Sequence, residues 1–265
     1  MNLAITGASG FVGKRLGGTA VSTRGAIVLP PCDAVVNLAG EPVAQRWTAA
    51  AREKIRSSRV DGTRRLVEAM RKNPPKVLVS ASAIGYYGSR GDDVLTESSA
   101  PGDDFLAKVC IEWEREAMRA EEFGVRVVIL RIGVVLGPGG GALAKMLPIF
   151  RLGLGGPIAD GRHWMSWIHI DDMVRLIEFA LENPIRGVLN ATAPNPVTNA
   201  EFTRELARVV HRPAIFPVPK FVLRMLYGEM ASILWASQRV LPEAANLAGF
   251  DFRFREVGSA FSTIP

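Results

Sequence analysis

Asp104, Lys108 and Glu112 stand four residues apart in "GDDFLAKVCIEWE", and Phe105, Val109 and Trp113 repeat that interval one residue on. On a helix such residues stack into columns, an acid–base–acid column beside an apolar stripe. Two chemistries suit the column. One is a solvated ladder of ion pairs over a buried face; the other is a lysine held against a bound ligand. A second constellation lies at the start of the chain, where "ITGASGFVG" carries Gly7, Gly10 and Gly13 directly after an apolar run. Glycines there permit a tight turn and close backbone approach to a pyrophosphate, whose charge is met by amides at a helix N-terminus. A mononucleotide P-loop would need a glycine five residues before the Gly13–Lys14 pair and a serine or threonine after it. Those positions are Ala8 and Arg15, so the spacing favours a dinucleotide.

Other chemistries find little support. Cys32 and Cys110 lie in apolar surroundings without CxxC spacing, which argues for reduced core thiols rather than a disulfide or thiolate site. His163, His169 and His211 match no metal-binding spacing. The formal charge of +6 comes from arginines scattered along helical patterns, with no basic run interleaved with aromatics, so neither nucleic acid nor a membrane is an expected partner. No apolar run is long enough to span a bilayer, and the first residues lack the basic and apolar regions of a signal peptide, which predicts a cytoplasmic protein.

The elements that must position these residues can be read from periodicity. β-rich apolar runs occur at 2–6, 34–40, 76–82, 125–131 and 187–193. Amphipathic helical patterns run from Thr48 to about Lys72 and from about Asp104 to Glu122. Strand and helix alternate, which predicts an α/β fold with a doubly wound parallel sheet of Rossmann type. The passage 133–161 is rich in glycine and encloses a helical segment containing Pro148. Thr198 and Glu201 form a capping box that opens another helix. Prolines from Arg212 onward mark a boundary, dividing the chain into a nucleotide-binding domain, 1–211, and a small, mostly helical unit, 212–265.

The TGxxGxxG spacing, "NLAG" at 37–40, "VSASA" at 79–83 and the Lys108 helix together resemble the extended short-chain dehydrogenases/reductases. "LRIGVVLGPGGG", "SWIHIDD" and "GVLNATAPNPVTNAEF" look like the atypical epimerase-family branch, NADP-dependent oxidoreductases or cell-division-inhibitor-like proteins with a C-terminal domain of unknown function. The resemblance covers nearly the whole chain. It implies that Gly7, Ser9, Gly10, Phe11 and Val12 line the pyrophosphate, that Leu38, Ala39 and Gly40 border the adenosine, and that Lys54, Arg59 and Val135 also contact the cofactor. The second strand would be "TAVSTR". It ends at Arg24, where NAD-preferring sites place an acid, and a planar guanidinium suits a ribose 2′-phosphate, so NADP is the expected cofactor. Relatives of the superfamily pair through their two long helices, which makes a homodimer the expected assembly.

Two features depart from the pattern. Phe11 to Leu16 offers six helical residues, about 9 Å of rise, where a crossover must retrace a strand of roughly 17–20 Å. Residues are therefore expected to be absent from the sequence between about Leu16 and Thr19, and again after Arg24. The superfamily's YxxxK pair, in which tyrosine transfers a proton and lysine holds the nicotinamide ribose, would put its lysine at Lys108 and its substrate-binding serine at Ser82. The tyrosine position is Asp104. A carboxylate beside a cation has no proton to give near neutral pH. Tyr86 or Tyr87 of "AIGYYGS" could replace it, or Tyr87 could simply pack in its turn. The sequence thus leaves two functions open. One is an oxidoreductase or epimerase acting on an unidentified small carbonyl or hydroxyl compound through Ser82, Tyr86 and Lys108. The other is a non-catalytic NADP(H)-binding module read by a protein partner.

Overall fold

A computed structural model describes residues 1–264. In chain order its strands are β1 (Leu3–Thr6), β2 (Thr19–Val21), β3 (Ala34–Asn37), β4 (Val77–Ala83), β5 (Val94–Leu95), β6 (Arg126–Ile132), β7 (Val134–Leu136), β8 (Trp164–Met165), β9 (Trp167–His169), β10 (Gly187–Ala191), β11 (Val197–Thr198) and β12 (Arg239–Val240). The helices are α1 (Ala49–Met70), α2 (Phe105–Met118), α3 (Gly141–Arg151), α4 (Ile170–Glu182), α5 (Asn199–Val209), α6 (Lys220–Tyr227), α7 (Glu243–Leu247) and α8 (Val257–Phe261).

Six parallel strands form the central sheet in the order β10-β6-β4-β3-β1-β2. Alternation along each strand feeds two cores. Ile5, Val36, Val79 and Leu130 face one side, against Met173, Leu176 and Ile177 of α4. Ala4, Val35, Leu78 and Ile129 face the other, against Leu66, Val67 and Met70 of α1 and Ala117 of α2. The strand order reverses between β1 and β3, where an open α/β sheet places its ligand crevice.

Local chemistry sets the helix starts. The Thr48 hydroxyl accepts from the Ala51 amide to cap α1, and Thr198 with Glu201 forms the reciprocal capping box of α5. Asp104 is the N-cap of α2, its Oδ1 accepting from the Ala107 amide at 2.9 Å, so the helix begins at Phe105 and this carboxylate serves the cap instead of Lys108. Lys108 makes no ion pair among the described residues, while Glu112 pairs with Arg56 across the α1–α2 contact.

The first crossover is shorter than a helix. A single 3-10 turn, Gly13–Arg15, ends with the Leu16 amide donating to the Gly13 carbonyl, and Gly17 and Gly18 carry the chain into β2. β2 has three residues instead of running to Arg24, so only about 10 Å of strand has to be retraced. Gly18 makes the close return possible: a Cβ there would lie 2.8 Å from the Leu3 carbonyl oxygen.

The chain beyond residue 211 packs into the same cores as the rest. Ala245, Phe250 and Phe252 join the core of β1, β3 and α4, and Val257, Ala260 and Phe261 pack on Phe202 and Leu206 of α5. β12 pairs with β5. Among the described residues, no helix is long and apolar enough to cross a membrane.

Candidate active site

β1 delivers Gly7 into a left-handed conformation (φ 69°) that directs the loop back beneath β3. A Cβ on Gly7 would sit 2.7 Å from the Leu38 carbonyl, and one on Gly13 would sit 2.3 Å from the Gly7 oxygen, so the cradle closes only with glycine. Among the described residues the Phe11 and Val12 amides donate to no backbone acceptor, leaving donors at the loop. Phe11 explains the glycines of the later passage: Cβ atoms on Gly140 and Gly141 would come within 2.3 and 2.8 Å of its ring. Arg15 ties the same passage down, binding Asp171 at 3.2 Å and the Pro138 carbonyl at 3.3 Å.

From this loop a cleft of about 790 Å³ runs across the ends of β4 and β6, within the size range of small-molecule sites. It brings together Gly7, Gly10, Phe11, Val12, Leu38, Arg59, Val135 and Ser82. Ser9, Ala39, Gly40, Lys54 and Arg24 stand outside its lining. Ala39 is nonetheless fixed beside it, its amide donating to Thr6 Oγ1, and Gly40 lies against the Arg59 guanidinium. Arg59 donates to the Glu41 and Ile55 carbonyls and lies over Trp113; burial pulls it below the ordinary arginine range. Arg24 is exposed three residues past β2, with no side-chain partner among the described residues. Lys54 is exposed on α1.

The catalytic candidates do not converge. Ser82 lines the cleft, but its hydroxyl donates to Glu114 Oε1 at 2.6 Å. Glu114 is in turn gripped by Arg131 through two bonds of 2.9 Å, in a site where Arg131 is 4 % exposed. Burial by itself would lower Arg131; the hydrogen bonds and charge of Glu114 reverse this and raise it. Both tyrosines serve the same arginine. The guanidinium lies 3.4 Å from the centre of the Tyr86 ring. Tyr87 Oη accepts from Arg131 and donates to Asn190 Oδ1 at 2.7 Å. Burial raises the Tyr87 phenol. Neither tyrosine lines the cleft, and Lys108 is exposed outside it.

The helical phase of α2 explains the difference. With Asp104 as cap, the face toward the cleft carries Phe105, Leu106, Val109, Cys110 and Trp113. The two residues four apart that share the cleft with Ser82 are therefore Leu106 and Cys110. The Cys110 thiol, pushed up to about 12 first by burial and then by the Glu114 charge, is a neutral group. Sequence reasoning also passed over the far wall: Trp47 before α1, and Ser232, Ile233, Trp235 and Gln238 between α6 and β12. Those C-terminal residues fall in a 3-10 turn and an irregular strand approach, which carry no periodic signal. Trp164 and Met165 line no part of the cleft, and Trp167 is buried among Leu136, Phe202 and Leu206.

Residues 19–192 match the NAD dependent epimerase/dehydratase family. The chain belongs to that family. Residues 218–264 match a domain of unknown function, DUF1731. The chloroplastic epimerase family protein SDR39U1 homolog of Arabidopsis thaliana is 41% identical across all of this chain and 86% of its own. Its alignment has 301 positions against 265 residues here, leaving 36 positions of that relative without a counterpart. YfhF of Bacillus subtilis is 39% identical over all of this chain and 98% of its own. Among solved structures, human epimerase family protein SDR39U1 (isoform2) with NADPH is 34% identical, covers 98% of both chains and superposes with a TM-score of 0.91.

Proposed function

We propose that this chain binds NADP(H) along the cleft and a small carbonyl or hydroxyl compound beside it, as an oxidoreductase or epimerase of the short-chain dehydrogenase superfamily. The observation that carries the reading is one continuous cleft that joins the glycine cradle to Ser82 under a wall from the C-terminal segment. The cradle fits a pyrophosphate: it admits no Cβ at Gly7 or Gly13 and offers the free Phe11 and Val12 amides. Arg24, exposed and unpaired among the described residues, would hold a 2′-phosphate. The likeness to a human relative solved with NADPH supports the same choice.

When bound, the cofactor supplies or accepts a hydride at its nicotinamide. The chain's own part is positioning and exclusion of water. Val135, Leu106 and Cys110 give the site an apolar floor, and Ser82, locked by Glu114 and Arg131, presents a fixed oxygen to a substrate hydroxyl. With its proton directed at Glu114, Ser82 is oriented to accept a hydrogen bond from the substrate. The test is transfer of deuterium from C4-labelled NADPH to a panel of carbonyl compounds, with stereospecific incorporation as the expected result.

A second reading, an NADP(H)-binding module without turnover, draws on a specific observation. The helix positions four apart that share the cleft with Ser82 hold leucine and a neutral thiol, and both nearby tyrosines are engaged with Arg131. Tight cofactor binding with no label transfer to any carbonyl would favour it.

A further inference from the structure

The cleft extends beyond Ser82 into a compartment whose walls come from Trp47, Phe105 and the segment Ser232–Gln238. Its chemistry is one-sided. Of all the described residues lining the cleft, the one cation is Arg59, on the cofactor side and already bonded to two carbonyls. The one carboxylate is Asp104, on the substrate side. A phosphate or carboxylate placed here would meet a like charge and no counter-charge.

Hydrogen-bond donors point the same way. The Ser82 hydroxyl donates to Glu114, the Ser232 hydroxyl to the Glu229 carbonyl, and the Gln238 amide nitrogen to the Ile84 and Gly88 carbonyls. The Trp47 indole N–H is given to the Val43 carbonyl. Among the described side chains of this compartment, the Trp235 indole N–H and the Ser89 hydroxyl hydrogen remain. One or two neutral donors suffice for a ketone; they do not solvate an anion. Trp47 and Phe105 meet edge to face, with ring centres 5.3 Å apart, and Trp235 adds a third ring, so the walls suit a flat apolar body.

Resting on the proposed cofactor site, we infer that the second ligand is an uncharged, largely apolar carbonyl or hydroxyl compound with a flat ring, and not a nucleotide-linked sugar. Among the described residues, further charge sits at Lys220, 5.6 Å from the centre of the Trp235 ring, and at the outer mouth. There Arg52 is paired with Glu229 and stacked on Trp47 and Phe105, and Arg224 lines the rim.

The test compares two ligands of one shape, 2-acetylnaphthalene and 2-naphthoate, with UDP-glucose as a third, by calorimetry on the full chain saturated with NADPH. NADPH binding is measured first, so its failure is read separately as failure of the cofactor site. The ketone is expected to bind at least about tenfold tighter than the carboxylate, and UDP-glucose not at all. Asp104→Asn keeps an N-cap and narrows the ketone–carboxylate gap without changing ketone affinity. Trp235→Ala weakens the ketone about tenfold and leaves NADPH binding unchanged. Carboxylate or UDP-glucose binding as tight as the ketone's overturns the inference, and UDP-glucose binding lost on Arg224→Ala would place an anion site at the mouth. Absence of ketone binding to the NADPH complex overturns it equally.

Discussion

Replacing Glu114 by leucine should cost far more stability than an ordinary surface ion pair. Glu114 and Arg131 are 9 % and 4 % exposed, joined by two hydrogen bonds, and no second carboxylate is within reach of the guanidinium among the described ion pairs. Removing one partner strands a buried charge, a loss of about 3–5 kcal/mol, against a total stability of about 5–15 kcal/mol for a domain. At about 2–4 °C per kcal/mol for a chain of this size, the midpoint should fall by roughly 6–20 °C. Arg131→Met should cost a similar amount. The double variant removes both charges and leaves the Ser82 hydroxyl without its acceptor, a loss of only about 1–3 kcal/mol. Urea unfolding followed by circular dichroism gives all three values. Single variants within about 1 kcal/mol of the parent, or a double variant as unstable as the sum of the singles, would refute the view that this pair is the post holding Ser82 at the cleft.

Three further outcomes are expected. Gly13→Ala drives a Cβ to 2.3 Å from the Gly7 oxygen and should abolish NADPH binding, while Gly17→Ala, with nothing within 4 Å, leaves it intact; equal effects would speak against the cradle. Lys108→Ala should change NADPH affinity by less than about twofold, because an exposed side chain outside the cleft has no contact to lose; a tenfold loss would return the lysine to the site. Burial lowers both His163 and His169, so the fold holds them neutral and the unfolded chain takes up protons first. Their stabilisation is full above about pH 6.5 and is lost progressively below it. The melting midpoint should therefore drop from pH 7.5 to 5.5, less so in His169→Asn, which still caps α4; an unchanged pH slope in that variant would remove His169 from the account.

What could be read from the sequence was whatever rests on local pattern. The apolar runs of β1, β3, β4 and β6, the Thr198–Glu201 box and the glycine cradle each carry their cause within a few residues. The register of α2 does not. Choosing Lys108 follows residue identity, whereas the inward face is set by tertiary packing of the apolar side of the helix, Asp104 fixing only where the helix starts. The stripe of Phe105, Val109 and Trp113 beside the charged column already marked the inward face, with Leu106 and Cys110 at its edge. The tyrosines were drawn away by Arg131, and a glutamate and an arginine inside apolar runs, Glu114 and Arg131, were the available sign of a buried pair. The distant wall at Ser232–Gln238 depends on tertiary packing that no spacing encodes.

Every role proposed above depends on the cleft holding NADP(H). Calorimetric titration of the protein with NADPH and, separately, with NADH tests it most directly. Tight NADPH binding, weak NADH binding and loss of that difference in Arg24→Ala are the expected results. Binding of neither nucleotide would contradict it.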